Sequence, residues 1–289
     1  MTNNVRNLKT INSKKININI KNIIPDEIEK FIIQKINKTP PESYGQITET
    51  ELDNVNKIVF DKYEININKH IIASIKSGYM KNYIIKNFFN LNKNSKDILN
   101  GYSKDGVIKL TTKYNLSPMT IIRFVFDKIY HKKLKELISS NILSNYDREQ
   151  LKLAESNDIY VTLDQVDQGE KAELFEKKIA SEFLIKNNVE FKTQEQLTQE
   201  QMKKYGKAIN TPDFLITSEL IINSKKINWI DAKNFYGSNI DFMVTKIKKQ
   251  IRKYLDTYGP GCIIFNHGFN SKLSFENVIL LDYESCIQS

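Results

Sequence analysis

Apolar and polar positions follow two different periods along the chain, and the period changes near residue 150. Ahead of that point the pattern is helical. Pro25-Asp26 opens a helix with Asp26, Glu27 and Glu29 in its first turn, where acidic side chains complement the helix dipole. Ile28, Phe31, Ile32 and Ile36 then recur at helical spacing. Thr39-Pro40-Pro41-Glu42-Ser43 reads as a linker. From Ile47 to Tyr146 the helical stripes resume, first as Val55, Ile58, Val59 and Tyr63, then as Ile71, Ile72 and Ile75. Two helix-turn-helix-like units are expected. The weaker spans Val55 to Tyr79, turning near Glu64-Ile65-Asn66. The clearer spans Val107 to Tyr130: a short helix ends near Tyr114-Asn115-Leu116, Ser117 caps the next, and Pro118 takes its first position, where a missing N–H costs nothing. Ile121, Ile122, Val125, Phe126 and Ile129 are expected to face the core. Thr120, Arg123 and Lys128 are left outside, as a groove-reading helix would need.

Past residue 150 one long amphipathic helix, Gly169 to Asn187, carries Ala172, Phe175, Ile179, Ala180 and Phe183 on its apolar face. Short β-like runs follow at Val189–Lys192, Phe214–Ile222, Ile227–Lys233, Cys262–His267 and Val278–Leu281. A second long helix, Asp241 to Tyr258, separates the third run from the fourth and stops at Tyr258-Gly259-Pro260-Gly261. The order α-β-β-β-α-β-β specifies an α/β domain with a mixed central sheet. The expected organisation is therefore a loosely ordered arm over 1–24, where Asn, Lys and Ile show no amphipathic period, a helical nucleic-acid-binding region over 25–150, and an α/β domain over 151–289.

Composition narrows the function classes. A hydrophobic share of 40% in 289 residues supports a real core. There is neither a compact signal-peptide stretch nor an apolar run near the ~18 residues of a membrane helix. Cys262 and Cys286 make no disulfide framework and no zinc cluster, so an intracellular site is expected, nuclear or cytoplasmic in a eukaryote. The formal charge is +9. A composition rich in Lys, Asn and Ile also follows from AT-rich coding, so the charge gains meaning only from where it falls. Residues 1–150 carry 25 basic and 15 acidic side chains, residues 151–200 carry 6 and 11, and residues 201–289 carry 12 and 8. A basic front half points to a polyanionic partner, nucleic acid first. On the Asp241–Tyr258 helix, Lys246, Lys249, Arg252 and Lys253 add a stripe able to hold a phosphate backbone.

The chemistry concentrates in Thr211-Pro212-Asp213 and, 18 residues on, Asp231-Ala232-Lys233. Asp231 and Lys233 stand two apart in an apolar strand and so share one face. Burying both there without a partner would be costly. Two carboxylates can hold Mg2+ or Mn2+, the Ala232 carbonyl can add an oxygen, and such an ion polarises a phosphate and lowers the pKa of its bound water. Lys233 can offset charge developing on the phosphorane. A helix acid would complete the site: Glu176 at the margin of the buried face, with Glu173 and Glu170 as alternatives. Gln250 can hydrogen-bond water or phosphate. One difficulty stands. A tight hairpin centred on Ser224 pairs Asp231 with Thr217, leaving Asp213 four residues, about 13 Å, along the strand. A bulge, a bend or another turn centre is needed to bring the acids together.

Pro212-Asp213 followed by Asp231-Ala232-Lys233 resembles the PD-(D/E)XK nuclease pattern of the restriction-endonuclease-like fold. With Thr211, Trp229-Ile230, Gln250 and Tyr254, Tyr258-Gly259-Pro260-Gly261 and Gly268-Phe269, the similarity extends to its TPD-motif branch, specifically over roughly residues 165–270 and architecturally over 45–150. The resemblance implies that the two acids meet, that Asp213 and Asp231 are metal ligands and that Lys233 is the catalytic lysine; with the basic, helix-turn-helix-like front, the expected substrate is DNA, structured or branched DNA included. The resemblance also implies a codanin-like partner where the source organism has one. A homodimer is compatible with paired cuts. A catalytically silent nucleic-acid-binding or adaptor protein and an RNA-processing nuclease are the competing readings.

Overall fold

The computed structural model describes residues 13–37, 42–45, 47–158 and 165–288. The chain forms two compact units. One spans 26–168 with 240–243; the other joins the described residues up to Pro25 to 169–239 and 244–289.

The first unit is helical: α1 (Asp26–Ile36), α2 (Glu49–Tyr63), α3 (Lys69–Asn87), α4 (Phe89–Lys93), α5 (Ser95–Tyr114), α6 (Pro118–Tyr130), α7 (Leu134–Ser140) and α8 (Asn145–Asn157). Of the expected linker, Glu42–Tyr44 is one 3-10 turn and residues 39–41 lie outside the described residues. Thr48 and Glu51 form a reciprocal capping box at the start of α2, and left-handed Glu64 ends it. Within α5, Gly106 (φ 75°, ψ 175°) breaks the helix, so the stretch from Val107 onward is a short helix, as its pattern requires. Asn115 closes it in the left-handed region, and Ser117 Oγ accepts the Thr120 N–H to open α6 behind Pro118. Leu110, Leu116, Ile121, Ile122, Val125 and Phe126 share a core with Leu151 and Ala154 of α8.

Three features of this unit differ from the sequence pattern. Thr120 is buried, because its hydroxyl pairs with Ser117 Oγ at 2.7 Å and needs no water. Ile129, in the last turn of α6, is 46% exposed: a periodic stripe marks a face, not how far along the helix that face is covered. And α8 runs on to Asn157 inside the helical core, so that unit extends past residue 150.

The second unit contains β1 (Ser13–Ile16), β2 (Ile23–Ile24), α9 (Gln165–Ile179, continued as a π-helical turn over Ala180–Ile185), β3 (Phe191–Thr193), α10 (Gln194–Tyr205), β4 (Phe214–Ile222), β5 (Lys225–Lys233), α11 (Asp241–Tyr258), β6 (Gly261–Phe265), β7 (Phe269–Asn270), β8 (Val278–Asp282) and α12 (Tyr283–Ile287). The sheet is mixed, as expected: its order is β1-β4-β5-β6-β8, with β3 also paired to β4. β3 and β5 run antiparallel to β4, whereas β1 runs parallel to β4, and β5, β6 and β8 are mutually parallel. Strand alternation separates two apolar layers. Ile230, Cys262 and Ile264 pack with Phe175, Ile179 and Phe183 of the α9 helix. Trp229, Ile263 and Phe265 pack with Ile247, Ile251 and Tyr254 of α11.

The N-terminal segment is not a loose arm where it is described. Ser13–Ile16 pairs in register with Glu219–Ile222, and Ile18 is buried with the sheet. Asn223 fixes the exit, its Oδ1 accepting the Ile18 N–H at 2.8 Å while its Nδ2 donates to the Ile18 carbonyl at 2.9 Å. Further on, Asn22 Nδ2 donates to Asp282 Oδ1 at 2.8 Å, and Phe269 N donates to Asn22 O at 3.1 Å. An extended edge strand that borrows its partner from the middle of the chain leaves no local amphipathic signal.

Candidate active site

The register of the β4–β5 hairpin decides whether the two acids meet. Near the turn, Ile222 pairs with Lys225 and Leu220 with Ile227; beyond it, Leu215 pairs with Trp229 and Phe214 with Ile230. Five steps along β4 thus match two along β5, so β4 bulges by three residues. The bulged backbone is satisfied elsewhere: the Thr217 and Ser218 N–H groups donate to the Glu190 carbonyl at 2.9 and 3.4 Å. In the shifted register Asp213 comes level with Asp231, and its Oδ2 accepts the Ala232 N–H at 2.6 Å. The extra length that separates the acids in an unbulged hairpin is taken up by the bulge.

Alternation along β5 sends Asp231 and Lys233 to the α11 face beside Trp229. Asp231 is fully buried, and Lys233 Nζ pairs with its Oδ2. Gln250, from α11, ties the pair together: Nε2 donates to Asp231 Oδ1 at 3.1 Å and Oε1 accepts from Lys233 Nζ at 2.9 Å. Nε2 also lies 3.1 Å from the Tyr254 hydroxyl, which reaches the Thr211 carbonyl at 3.4 Å and so links the helix to the segment leading into Asp213. Burial, then the Asp231 charge, then Glu176 push the Asp213 carboxyl up to about 8. Burial also raises Asp231, opposed by Lys233. Glu176 is half-buried, and its carboxyl is raised first by burial and next by Asp231.

That coupling separates the three helix acids. Glu176 feels the charges of Asp231 and Lys233, whereas Glu173 points outward to Lys177 at 2.6 Å and Glu170 is exposed. Asp213, Asp231, Ala232, Lys233 and Gln250 are brought together by direct contacts. Along α11, Lys246, Lys249, Arg252 and Lys253 are all exposed. Lys246 and Lys253, four before and three after Gln250, flank it on the same face, and Arg252 falls to the far side. In the helical unit Arg123 and Lys128 are exposed, but Arg123 is partly drawn in, its pKa lowered by burial and supported by the charge of Asp158, and Lys128 Nζ lies 5.5 Å over the Phe124 ring.

Two motif segments serve the frame. Trp229 Nε1 donates to the Gly259 carbonyl at 2.8 Å and Asn228 Nδ2 to the Tyr258 carbonyl at 2.6 Å, clamping the Tyr258–Gly261 turn to the strand that carries Asp231. A Cβ on Gly261 would stand 2.1 Å from the Trp229 ring. At Gly268 (φ 71°) a Cβ would meet the Asn22 carbonyl at 2.1 Å, so that glycine seats the N-terminal segment. Sequence reasoning did not foresee α10, whose lead-in Gln194 N–H donates to the Asp213 carbonyl at 3.0 Å. Its signal was present: Thr193 and Gln196 form a capping box.

Residues 143–284, which include Glu176, Asp213, Asp231, Ala232, Lys233, Gln250 and the α11 cations but not Arg123 or Lys128, match the family described as "Protein of unknown function TPD sequence-motif". The resemblance to the TPD-motif branch is thus borne out over the segment that carries the site. Among curated proteins the chain is 26% identical over 279 residues to "Uncharacterized protein L539" of Acanthamoeba polyphaga mimivirus, covering 79% of this chain and 95% of the relative. It is 24% identical over 179 residues to "CDAN1-interacting nuclease 1" of Danio rerio, covering 58% of this chain and 57% of that protein. No solved structure matches the chain. Among the described residues no helix is long and apolar enough to cross a membrane.

Proposed function

We propose that this protein is a divalent-metal-dependent nuclease that hydrolyses phosphodiester bonds, with DNA as the expected substrate and a restriction-endonuclease-like catalytic domain. The observation that carries the reading is the β4 bulge, which sets Asp213 level with Asp231 and next to Lys233. Distant similarity to a named nuclease agrees with it.

The donor set fits a hard cation. Among the described residues no group of three His, Cys, Asp or Glu side chains forms a ready-made cage. The oxygens on offer are the Asp213 and Asp231 carboxylates and the Ala232 carbonyl, a partial shell of the kind Mg2+ or Mn2+ completes with water and phosphate. The Asp213 carboxyl, raised by burial and by neighbouring carboxylates, gains its charged form when a cation binds there. When bound, such an ion supplies Lewis acidity to the phosphate and lowers the pKa of its water. Lys233 Nζ, held by Gln250 Oε1, is positioned to offset negative charge on a phosphate oxygen. Gln250 keeps Asp231 oriented. Glu176, with its raised pKa, can hold or release a proton at the edge of the site. Lys246 and Lys253 draw in the flanking backbone. A partner of the kind in the zebrafish relative's name extends to this chain where its source encodes one.

The test is cleavage of a panel of DNA and RNA structures with EDTA, Mg2+ or Mn2+. The expected outcome is metal-dependent cleavage by the wild type that Asp231→Ala loses. Identical traces for the two proteins would rule out catalysis by this site.

A further inference from the structure

The tip of α10 and the loop that returns from it have no part in the site described so far, yet they are built unlike an ordinary solvated helix end. Residues 202–209 are all exposed, eight in succession. Met202, Tyr205 and Ile209 among them keep 50%, 51% and 51% of their surface in water. Lys203, Lys204 and Lys207 interleave with them, and no acid falls between Glu200 and Asp213. Lysines in a last helical turn are accounted for by the helix dipole. Three large apolar side chains beside them are not, and apolar surface rimmed by one sign of charge marks a binding site.

The segment is held, not frayed. Gly206 (φ 70°) turns the chain. Gln201 Oε1 accepts the Ile209 and Asn210 N–H groups at 2.6 and 3.1 Å, and its Nε2 donates to the Asn210 carbonyl at 2.6 Å. Asn210 Nδ2 in turn donates to Thr257 Oγ1 at 2.6 Å and to the Lys253 carbonyl at 3.2 Å on α11. Asp213 follows three residues later. The exposed side chains thus form an outer rim beside the C-terminal end of α11, with Tyr205 about 16 Å along α10 from Gln194, whose N–H binds Asp213. Lys204 Nζ stands 4.9 Å over the Tyr205 ring, pairing a cation with an aromatic surface.

We infer that this rim engages a nucleic-acid strand carrying an unpaired nucleotide a few nucleotides from the scissile phosphate, about 16 Å away along α10, with Tyr205 stacking on the base and Lys203, Lys204 and Lys207 holding the phosphates. The inference rests on the nuclease reading above and gives it a substrate class: nucleic acid with a single-stranded segment a few nucleotides from the cut. Positive charge alone would serve any polyanion. An exposed aromatic ring adds a preference for bases free of their own stack, because a paired base inside a duplex offers no face to the protein.

The test measures binding by fluorescence anisotropy in EDTA, with full-length protein and three labelled probes: a thymidine 20-mer, a blunt duplex, and the same duplex with a single-stranded tail. Wild type is expected to prefer the tailed probe over the blunt one. Tyr205→Ala should weaken tailed-probe binding about tenfold and leave the blunt probe within about twofold, while Tyr205→Phe keeps the wild-type preference. Lys203→Glu, Lys204→Glu and Lys207→Glu combined should weaken all probes and flatten the salt dependence. If Tyr205→Ala and the triple variant both bind the tailed probe like wild type, the rim is not a strand site, which is also the result expected if a protein occupied it. Equal losses on blunt and tailed probes in Tyr205→Ala would refute stacking. None of these readings needs cleavage, so loss of the catalytic reading in the metal assay and loss of this one are distinguishable.

Discussion

At Asp213, burial and two neighbouring carboxylates all act against the charged form, and only the Ala232 N–H and Lys233 support it. An unfolded aspartate titrates at ~3.9, and this one is raised to about 8. Between those values the folded, metal-free chain holds a proton that the unfolded chain lacks. Its stability contribution is full below the lower value, falls as pH rises through the window, and levels off above it. Asp213→Asn keeps the acceptor for Ala232 and removes the titration. Relative to wild type, its melting temperature in EDTA should therefore rise progressively from pH 4 to pH 8.5; an offset that stays constant with pH would contradict this origin of the shift. The same competition predicts that Mn2+ binding to the wild type, followed by calorimetry, strengthens from pH 6 to pH 8.5. Gln250 orients a proposed ligand and the lysine together, and Gln250→Ala is expected to cost about 10–100-fold in metal affinity or cleavage.

Elements carry a different part of the design. The strand spanning Phe214–Ile222 was legible in the sequence residue for residue, as was the helix spanning Asp241–Tyr258. The three-residue bulge was legible only as a requirement. Its place depends on Glu190 accepting two bulged N–H groups from outside the hairpin, which no local pattern encodes. The turn after α11 shows the same division. A Gly-Pro-Gly stop signal predicts where the helix ends, whereas the reason for Gly261 is the Trp229 ring behind it. Gly261→Ala should cost roughly 3 kcal/mol by urea unfolding, through overpacking against that ring. Since the ring sits two residues from Asp231, the variant should also lower cleavage before it unfolds. An unchanged urea midpoint would show that the turn shifts freely.

At the scale of the whole molecule, the sheet unit is assembled from both ends of the chain. β1 completes one edge, Ile18 enters the core, and Asn22 and Lys21 satisfy the buried Asp282. A chain beginning at Leu143, matching the family segment, lacks all of these. It is expected to lose the sharp urea transition of the full-length protein, and a peptide covering residues 13–25 added in trans should restore part of it. A truncated chain with a full-length-like transition would place the N-terminal segment outside the stability core. The charge distribution reads differently at this scale too. The acidic stretch over 151–200 contains the helix that supplies Glu176, and Lys246 and Lys253 flank Gln250 on α11, so within the sheet unit an acidic centre meets a basic helix edge.

By itself the sequence determined the helices and strands whose side-chain period is local: α1, the helix pairs α2–α3 and α5–α6, β4, β5 and α11. It also determined the residue types at the candidate site, because Asp and Lys two apart in an apolar strand need partners to be buried. Tertiary structure decided what depends on partners distant in the chain. It recruited the N-terminal segment as a strand, since backbone pairing with β4 carries no side-chain period. It carried the helical unit past residue 150, since Leu151 and Ala154 find their core there. And it brought Asp213 level with Asp231, since the register of a hairpin is set by the hydrogen bonds its bulge can find.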